Sequence, residues 1–147
     1  MDILLKPMVE GHLNDIMVIE EASHKLKWPL KFFEQALSRG YHCRVMVAED
    51  KVVAYIITHV IEDTAYPLNI AVDKNFLRLN LASRLFDDLV SHCRDNSIET
   101  IRSYVRADNE PIKRFNHKHG YKKIGVLKDY YGHKEDAIIC VRSVNDG

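Results

Sequence analysis

The period of the apolar positions along the chain names its elements in turn. Ile3-Leu4-Leu5-Lys6-Pro7-Met8 predicts a short edge strand ending near its proline, which has no N–H to give to a sheet interior. From His12 onward, Leu13, Ile16, Met17 and Ile19 through Ala22 form a helical stripe. Trp28-Pro29 breaks the chain, and Leu30 to Leu37 predicts a second short helix stopped by Gly40. His42 to Ala48 alternates and is rich in valine, Glu49-Asp50-Lys51 reads as a polar turn, and Val52 to Ile61 is a long apolar strand, so the pair predicts a hairpin. After the polar Glu62-Asp63-Thr64, a third run extends from Tyr66 to Val72 and ends at Asp73-Lys74-Asn75.

The most regular helix follows. Leu81, Leu85, Phe86, Leu89, Val90 and Cys93 recur at spacings that line one face over nearly four turns. Ile98 to Val105 is another strand. Asp108-Asn109-Glu110-Pro111 starts a helix with a capping side chain and a proline in its first turn, and Gly120 is placed to end it. Tyr121 to Leu127 and Ala137 to Val141 complete the strands. The order β-α-α-β-β-β-α-β-α-β-β, about seven strands and four helices, predicts a mixed α/β fold with helices packed on a central sheet.

Length changes this picture little: 147 residues suit one domain with its own core. No internal repeat, low-complexity tract or linker divides them, so a single domain over residues 1–147 is expected. Lysine plus arginine (21) balances aspartate plus glutamate (21), which leaves no global field to draw in nucleic acid or a membrane surface. Cys43, Cys93 and Cys140 are odd in number and widely spaced, which points to reduced, buried thiols rather than disulfides or a metal knuckle. The start Met1-Asp2-Ile3-Leu4-Leu5-Lys6 lacks the pattern of a signal peptide, and no run approaches a membrane span. A cytoplasmic protein is expected.

Candidate chemistry sits in the stretch from Leu68 to Ala82, where a strand ends, a tight loop turns and an amphipathic helix begins at once. A helix N-terminus offers unpaired N–H groups and a partial positive charge, which suit a pyrophosphate. The strand Asn69-Ile70-Ala71-Val72-Asp73 and the loop after it resemble the acetyl-CoA-binding segment of the GNAT superfamily of acetyl-coenzyme A-dependent N-acyltransferases, whose loop carries Gln/Arg-x-x-Gly-x-Gly/Ala. Val105-Arg106-Ala107-Asp108-Asn109 and Gly120-Tyr121 are similar to that family's later motif. Lys128-Asp129-Tyr130-Tyr131 and Glu135 to Ile139 resemble the C-terminal end of the bacterial ribosomal-protein-alanine N-acetyltransferase subgroup. The resemblance runs from about Ile3 to Val141 and implies a mostly antiparallel mixed sheet, acetyl-CoA as cosubstrate, a primary-amine acceptor and no metal.

The resemblance assigns the cofactor to Ile70, Ala71, Val72, Leu77, Arg78, Leu79, Asn80, Leu81, Ala82, Asn109 and Phe115, and a peptide acceptor to Tyr130 and Tyr131. Leu77 stands where the family has Gln or Arg, and Asn80 stands for its first glycine. Asparagine tolerates φ > 0 better than other non-glycine residues, so the loop is expected to keep its shape while the Asn80 Cβ crowds the ligand. The subgroup's glutamate base is here Tyr104 and its tyrosine acid is Phe115. By spacing, Tyr66 falls on a tyrosine that some related N-terminal acetyltransferases use to hold a water, so Tyr66 and Tyr104 are the catalytic candidates.

Plainer readings stand beside these. Tyr66 and Tyr104 also suit a pleated strand surface as packing aromatics. Lys113, Arg114, Lys118, Lys122 and Lys123 either cradle the coenzyme's 3′-phosphate or form a solvated face. Tyr130 and Tyr131 fall in a polar loop, where in an extended chain they would face opposite ways. Two functions stay open: acetyl transfer to a protein N-terminus, a ribosomal protein among the candidates, by a monomer or weak dimer; or a GNAT-derived binding or regulatory module without catalysis.

Overall fold

The computed structural model describes residues 2–145. Met1, Asp146 and Gly147, at the ends of the domain expected over residues 1–147, lie outside them. The element order is the predicted one: β1 (Ile3–Pro7), α1 (Leu13–Ser23), α2 (Leu30–Ser38), β2 (His42–Ala48), β3 (Lys51–Ile61), β4 (Thr64–Val72), α3 (Leu81–Asp95), β5 (Thr100–Arg106), α4 (Glu110–Lys118), β6 (Lys122–Gly132) and β7 (Glu135–Ser143). Two 3₁₀ segments, Glu10–His12 and Lys74–Leu79, precede α1 and α3. The seven strands are ordered β1-β2-β3-β4-β5-β7-β6. The β4–β5 pair is parallel, and β1–β2, β2–β3, β5–β7 and β6–β7 are antiparallel.

The chain divides into two compact units, one of Met1–Val60 with Pro67–His92 and one of Ile61–Tyr66 with Cys93–Gly147. In the first unit, Leu13, Ile16 and Ile19 of α1 and Phe33 and Ala36 of α2 share one buried cluster with Val45, Val47, Val52, Tyr55 and Ile57 of the β2–β3 hairpin. Each large apolar side chain so buried contributes roughly 1.5–3 kcal/mol. The hairpin turn is tighter than the polar triplet suggested. Lys51 already pairs with Ala48, leaving Glu49 and Asp50 as a two-residue turn with φ of 50° and 66°. That positive-φ geometry matches the strands' own twist.

In the second unit, Ile101, Ser103 and Val105 of β5 are buried while Arg102, Tyr104 and Arg106 alternate onto the other, half-covered face. The Asn109 side chain accepts from the Ile112 N–H at 3.2 Å and so caps α4, and Gly120, at φ 81°, follows the helix end. One expectation fails here. The polar loop expected over Lys128 to Tyr131 is strand: β6 runs on to Gly132, β7 begins at Glu135 rather than Ala137, and Gly132 lies opposite Glu135. The β6–β7 ladder pairs backbone groups whatever the side chains, so polar side chains did not end it. Asp129, at φ 56°, marks a register irregularity between Leu127 and Gly132. Its N–H donates to the Asp136 carboxylate at 2.9 Å, and its own carboxylate accepts from the Lys134 N–H at 2.7 Å.

Candidate active site

The strand–loop–helix stretch of the first unit is built by local hydrogen bonds. The Asp73 N–H donates to the Val53 carbonyl at 2.8 Å, holding the end of β4, and the Asp73 carboxylate accepts from the Asn75 N–H at 2.9 Å. The predicted loop is therefore a 3₁₀ segment, Lys74–Leu79, with Leu77, Arg78 and Leu79 exposed. Asn80 ends it in the left-handed region, φ 55° and ψ 34°, the conformation for which asparagine was expected to stand in for glycine. Its carbonyl accepts from the Arg84 N–H at 3.1 Å, and α3 starts at Leu81. The first N–H groups of such a helix have no intrahelical acceptor. No acidic residue stands in the first turn of α3, so no carboxylate of that turn competes for them. Ile70 and Val72 are half-buried, Ala71 and Leu81 buried, and Ala82 half-buried. These residues fit a pyrophosphate: positive backbone dipoles, a nearby Arg78 cation and a loop end that only glycine or asparagine adopts readily.

The second unit gathers the tyrosines. Ala65 of β4 lies opposite Ile101 of β5, so Tyr66 and Tyr104 alternate onto the same face, that of Arg102. The ring of Tyr104 lies 5.9 Å from that of Tyr130, which is exposed. Tyr130 in turn meets Tyr131 edge-on at 5.0 Å. The expectation that these two neighbours face opposite ways is thus corrected: the positive φ of Asp129 and the register break beside it disturb the alternation. Tyr131 is half-buried and donates its hydroxyl to the Tyr104 carbonyl at 3.1 Å. Burial, with some help from Tyr130, raises its pKa against the opposing Arg106 guanidinium, which keeps the phenol protonated as that donor. Arg106 lies 4.8 Å from the Tyr131 ring centroid and is held by Glu135 at 2.6 Å. Phe115 stacks on His119 at 4.1 Å. Lys113 donates to the Ala107 carbonyl at 3.0 Å and pairs with Glu110 at 2.9 Å, so it serves the α4 start. Among the described residues no group of three or more His, Cys, Asp or Glu side chains could hold a metal.

One residue escaped the sequence analysis. Glu20 sits in the helical stripe of α1, where a carboxylate reads as a solvent-facing position, yet it is 1% exposed. It accepts from the Tyr55 hydroxyl at 2.5 Å, the Asn69 amide at 3.0 Å and the Trp28 N–H at 2.9 Å. A buried carboxylate is stable only when so satisfied, and this one ties α1, β3, β4 and the connection before α2 together. The available signal was weak: Glu20 and Glu21 adjoin, and only the first falls on the apolar stripe.

The acetyltransferase (GNAT) family profile matches residues 9–121. The chain belongs to that family. Family membership makes it an acetyl-CoA-dependent N-acetyltransferase, and the enzyme reading is the one that stands. It is 32% identical over 131 residues to the [ribosomal protein bS18]-alanine N-acetyltransferase of Salmonella typhimurium, covering 86% of this chain and 88% of that one. It is 26% identical over 155 residues to the N-alpha-acetyltransferase of Saccharolobus solfataricus, covering 96% and 93%. The crystal structure of the ribosomal-protein-S18-alanine N-acetyltransferase from Escherichia coli superposes with a TM-score of 0.91 at 25% identity, covering 99% of this chain and 96% of that one. The sheet of this chain is mixed and seven-stranded, and the order of its elements was legible from its own period of apolar residues.

Proposed function

We propose that this acetyltransferase moves acetyl from acetyl-CoA to the α-amine of a protein or peptide N-terminus. The observation that carries the acceptor is the tyrosine cluster of the second unit, in which the exposed Tyr130 ring adjoins Tyr104 and Tyr131. Exposed aromatic rings backed by packed ones suit a recognition surface. Relatives named for bS18 alanine support a ribosomal protein as one acceptor, and a reaction in the cytoplasm by a monomer or weak dimer fits that role.

Acetyl-CoA supplies an acyl thioester. Asn80 and the N-terminus of α3 hold the pyrophosphate, with Leu77, Arg78, Leu79, Leu81 and Ala82 around it. The resemblance assigns Asn109 and Phe115 to the coenzyme as well. Ile70 and Ala71 orient the acyl arm along β4, and the Val72 N–H polarises the thioester carbonyl. The amine nitrogen attacks the carbonyl carbon, the C–N bond forms, the C–S bond breaks, and the coenzyme leaves as its thiolate, which takes up a proton from solvent. A water held by Tyr66 and Tyr104 takes the proton that the amine sheds. Phe115 has no proton to give, and Tyr104 stands where the resembled subgroup has its glutamate base. An α-amine, with a pKa near 8, reaches its neutral nucleophilic form far more readily than a lysine side chain near 10.4, so it matches such a site.

Incubation of the purified chain with acetyl-CoA and peptides bearing a free N-terminal alanine and an internal lysine, read by mass spectrometry, tests the assignment. Acetyl is expected on the α-amine, and Tyr130→Ala should raise the peptide KM. Label confined to lysine side chains, or to a small polyamine in place of any peptide, would overturn it.

A further inference from the structure

Two arginines of β5, Arg102 and Arg106, flank Tyr104 in the second unit. Arg106, two residues on, is engaged by Glu135 at 2.6 Å and by Asp108 at 3.4 Å. Arg102 has no such carboxylate among the described residues. Its guanidinium carbon lies 5.7 Å from the centroid of the Tyr104 ring, and its Nε is buried without a hydrogen-bond partner. An ordinary surface arginine keeps every N–H in water. Here one N–H has left water and found no acceptor, a state that is costly for a neutral group and more so for a charged one. The side chain as a whole is half-buried and lies on the face shared with Tyr66 and Tyr104.

We infer that Arg102 selects acceptors: resting on the N-terminal reading above, it favours N-termini that carry a carboxylate side chain within their first few residues. The guanidinium fork accepts a carboxylate through two parallel N–H···O bonds, and a cation braced over an aromatic ring has already given up part of its rotamer freedom. Arg106 also has a buried Nε and Nη1 without hydrogen-bond partners, but its charge is already paired with Glu135 and Asp108, so it offers an acceptor carboxylate less. A lysine or arginine in the acceptor at that point meets a like charge and is disfavoured.

The test is steady-state transfer from acetyl-CoA to four peptides that differ only at their second residue, Asp, Glu, Ala or Lys, by the native chain and by Arg102→Gln and Arg102→Glu. The native chain should favour the acidic peptides over alanine by about 10-fold in kcat/KM, mainly through KM, with lysine poorer still. Arg102→Gln should level the series and Arg102→Glu should invert it, while circular dichroism and thermal melting show both variants folded. Equal kcat/KM across the four peptides, or a preference that survives in both variants, overturns the inference and leaves the N-terminal reading intact. No α-amine label on any peptide overturns both.

Discussion

Tyr104 occupies a position on β5 from which its ring meets Tyr130 on one side and the Arg102 guanidinium on another, while its backbone carbonyl receives the Tyr131 hydroxyl. Holding the amine and thioester together supplies most of the rate in such a transfer, and acid–base help adds about 10²–10⁴-fold. If Tyr66 and Tyr104 hold the proton-accepting water, Tyr104→Phe and Tyr66→Phe should each lower kcat by about 10-fold or more with the KM for acetyl-CoA little changed. Steady-state kinetics decide it: unaltered turnover in both variants makes the two rings packing residues. The family resemblance singled out these tyrosines, and alternation along the strands puts both on one face. Glu20 could not be singled out, because its burial depends on Tyr55, Asn69 and Trp28, which lie 35, 49 and 8 residues away in the chain.

At the scale of elements, the junction of β4 and α3 turns on a single residue. Asn80 holds φ 55° and ψ 34°, which costs a residue with a Cβ more than it costs glycine. Asn80→Gly should preserve the 3₁₀ segment Lys74–Leu79 and the start of α3, remove the Cβ beside the pyrophosphate and tighten acetyl-CoA binding by up to about 10-fold, the equivalent of ~1.4 kcal/mol. Calorimetric titration of both proteins measures this. Equal or weaker binding by the glycine variant would mean that the Cβ does not crowd the ligand. The existence of this helix was plain from its apolar stripe, and the resemblance to the family's loop pattern marked Asn80 as the residue standing for glycine. The 3₁₀ winding was not, since it depends on the Asp73 carboxylate reaching the Asn75 N–H and on the Asp73 N–H reaching Val53. The β6–β7 hairpin shows the same limit: Lys128, Asp129, Tyr130 and Tyr131 carry no period, and the strand continues through them because β6 pairs with β7 on either side, at Leu127 and at Gly132.

At the scale of the whole molecule, the response to pH should come from His42 of the first unit. Its ring stacks on His92 of α3 at 3.8 Å, with the Asp88 carboxylate 3.8 Å away and Arg44 beside it. Burial first, then the neighbouring His92 and Arg44, lower its pKa to about 4, and Asp88 offsets only part of this. The unfolded chain binds the proton near the ordinary value of 6.5 and the folded one near 4, so between these pH values the unfolded state holds more protons. Stability should therefore fall as pH drops from about 6.5 to about 4, with no contribution from this group above that window. Urea denaturation across this range should show the loss in the native chain and a shallower one in His42→Gln; identical slopes would assign the acid response to other groups. Local periods of apolar residues determined which elements form and in what order, since helix and strand each leave their own repeat in the sequence. The sequence also marked the loop residue able to adopt positive φ and the tyrosines of β4 and β5. Tertiary structure decided what depends on distant partners: the buried carboxylate of Glu20, the commitment of Arg106 against the freedom of Arg102, the depressed pKa of His42, and the extension of β6. Each of these is a balance of desolvation and pairing between residues far apart in the chain, and no local pattern records such a balance.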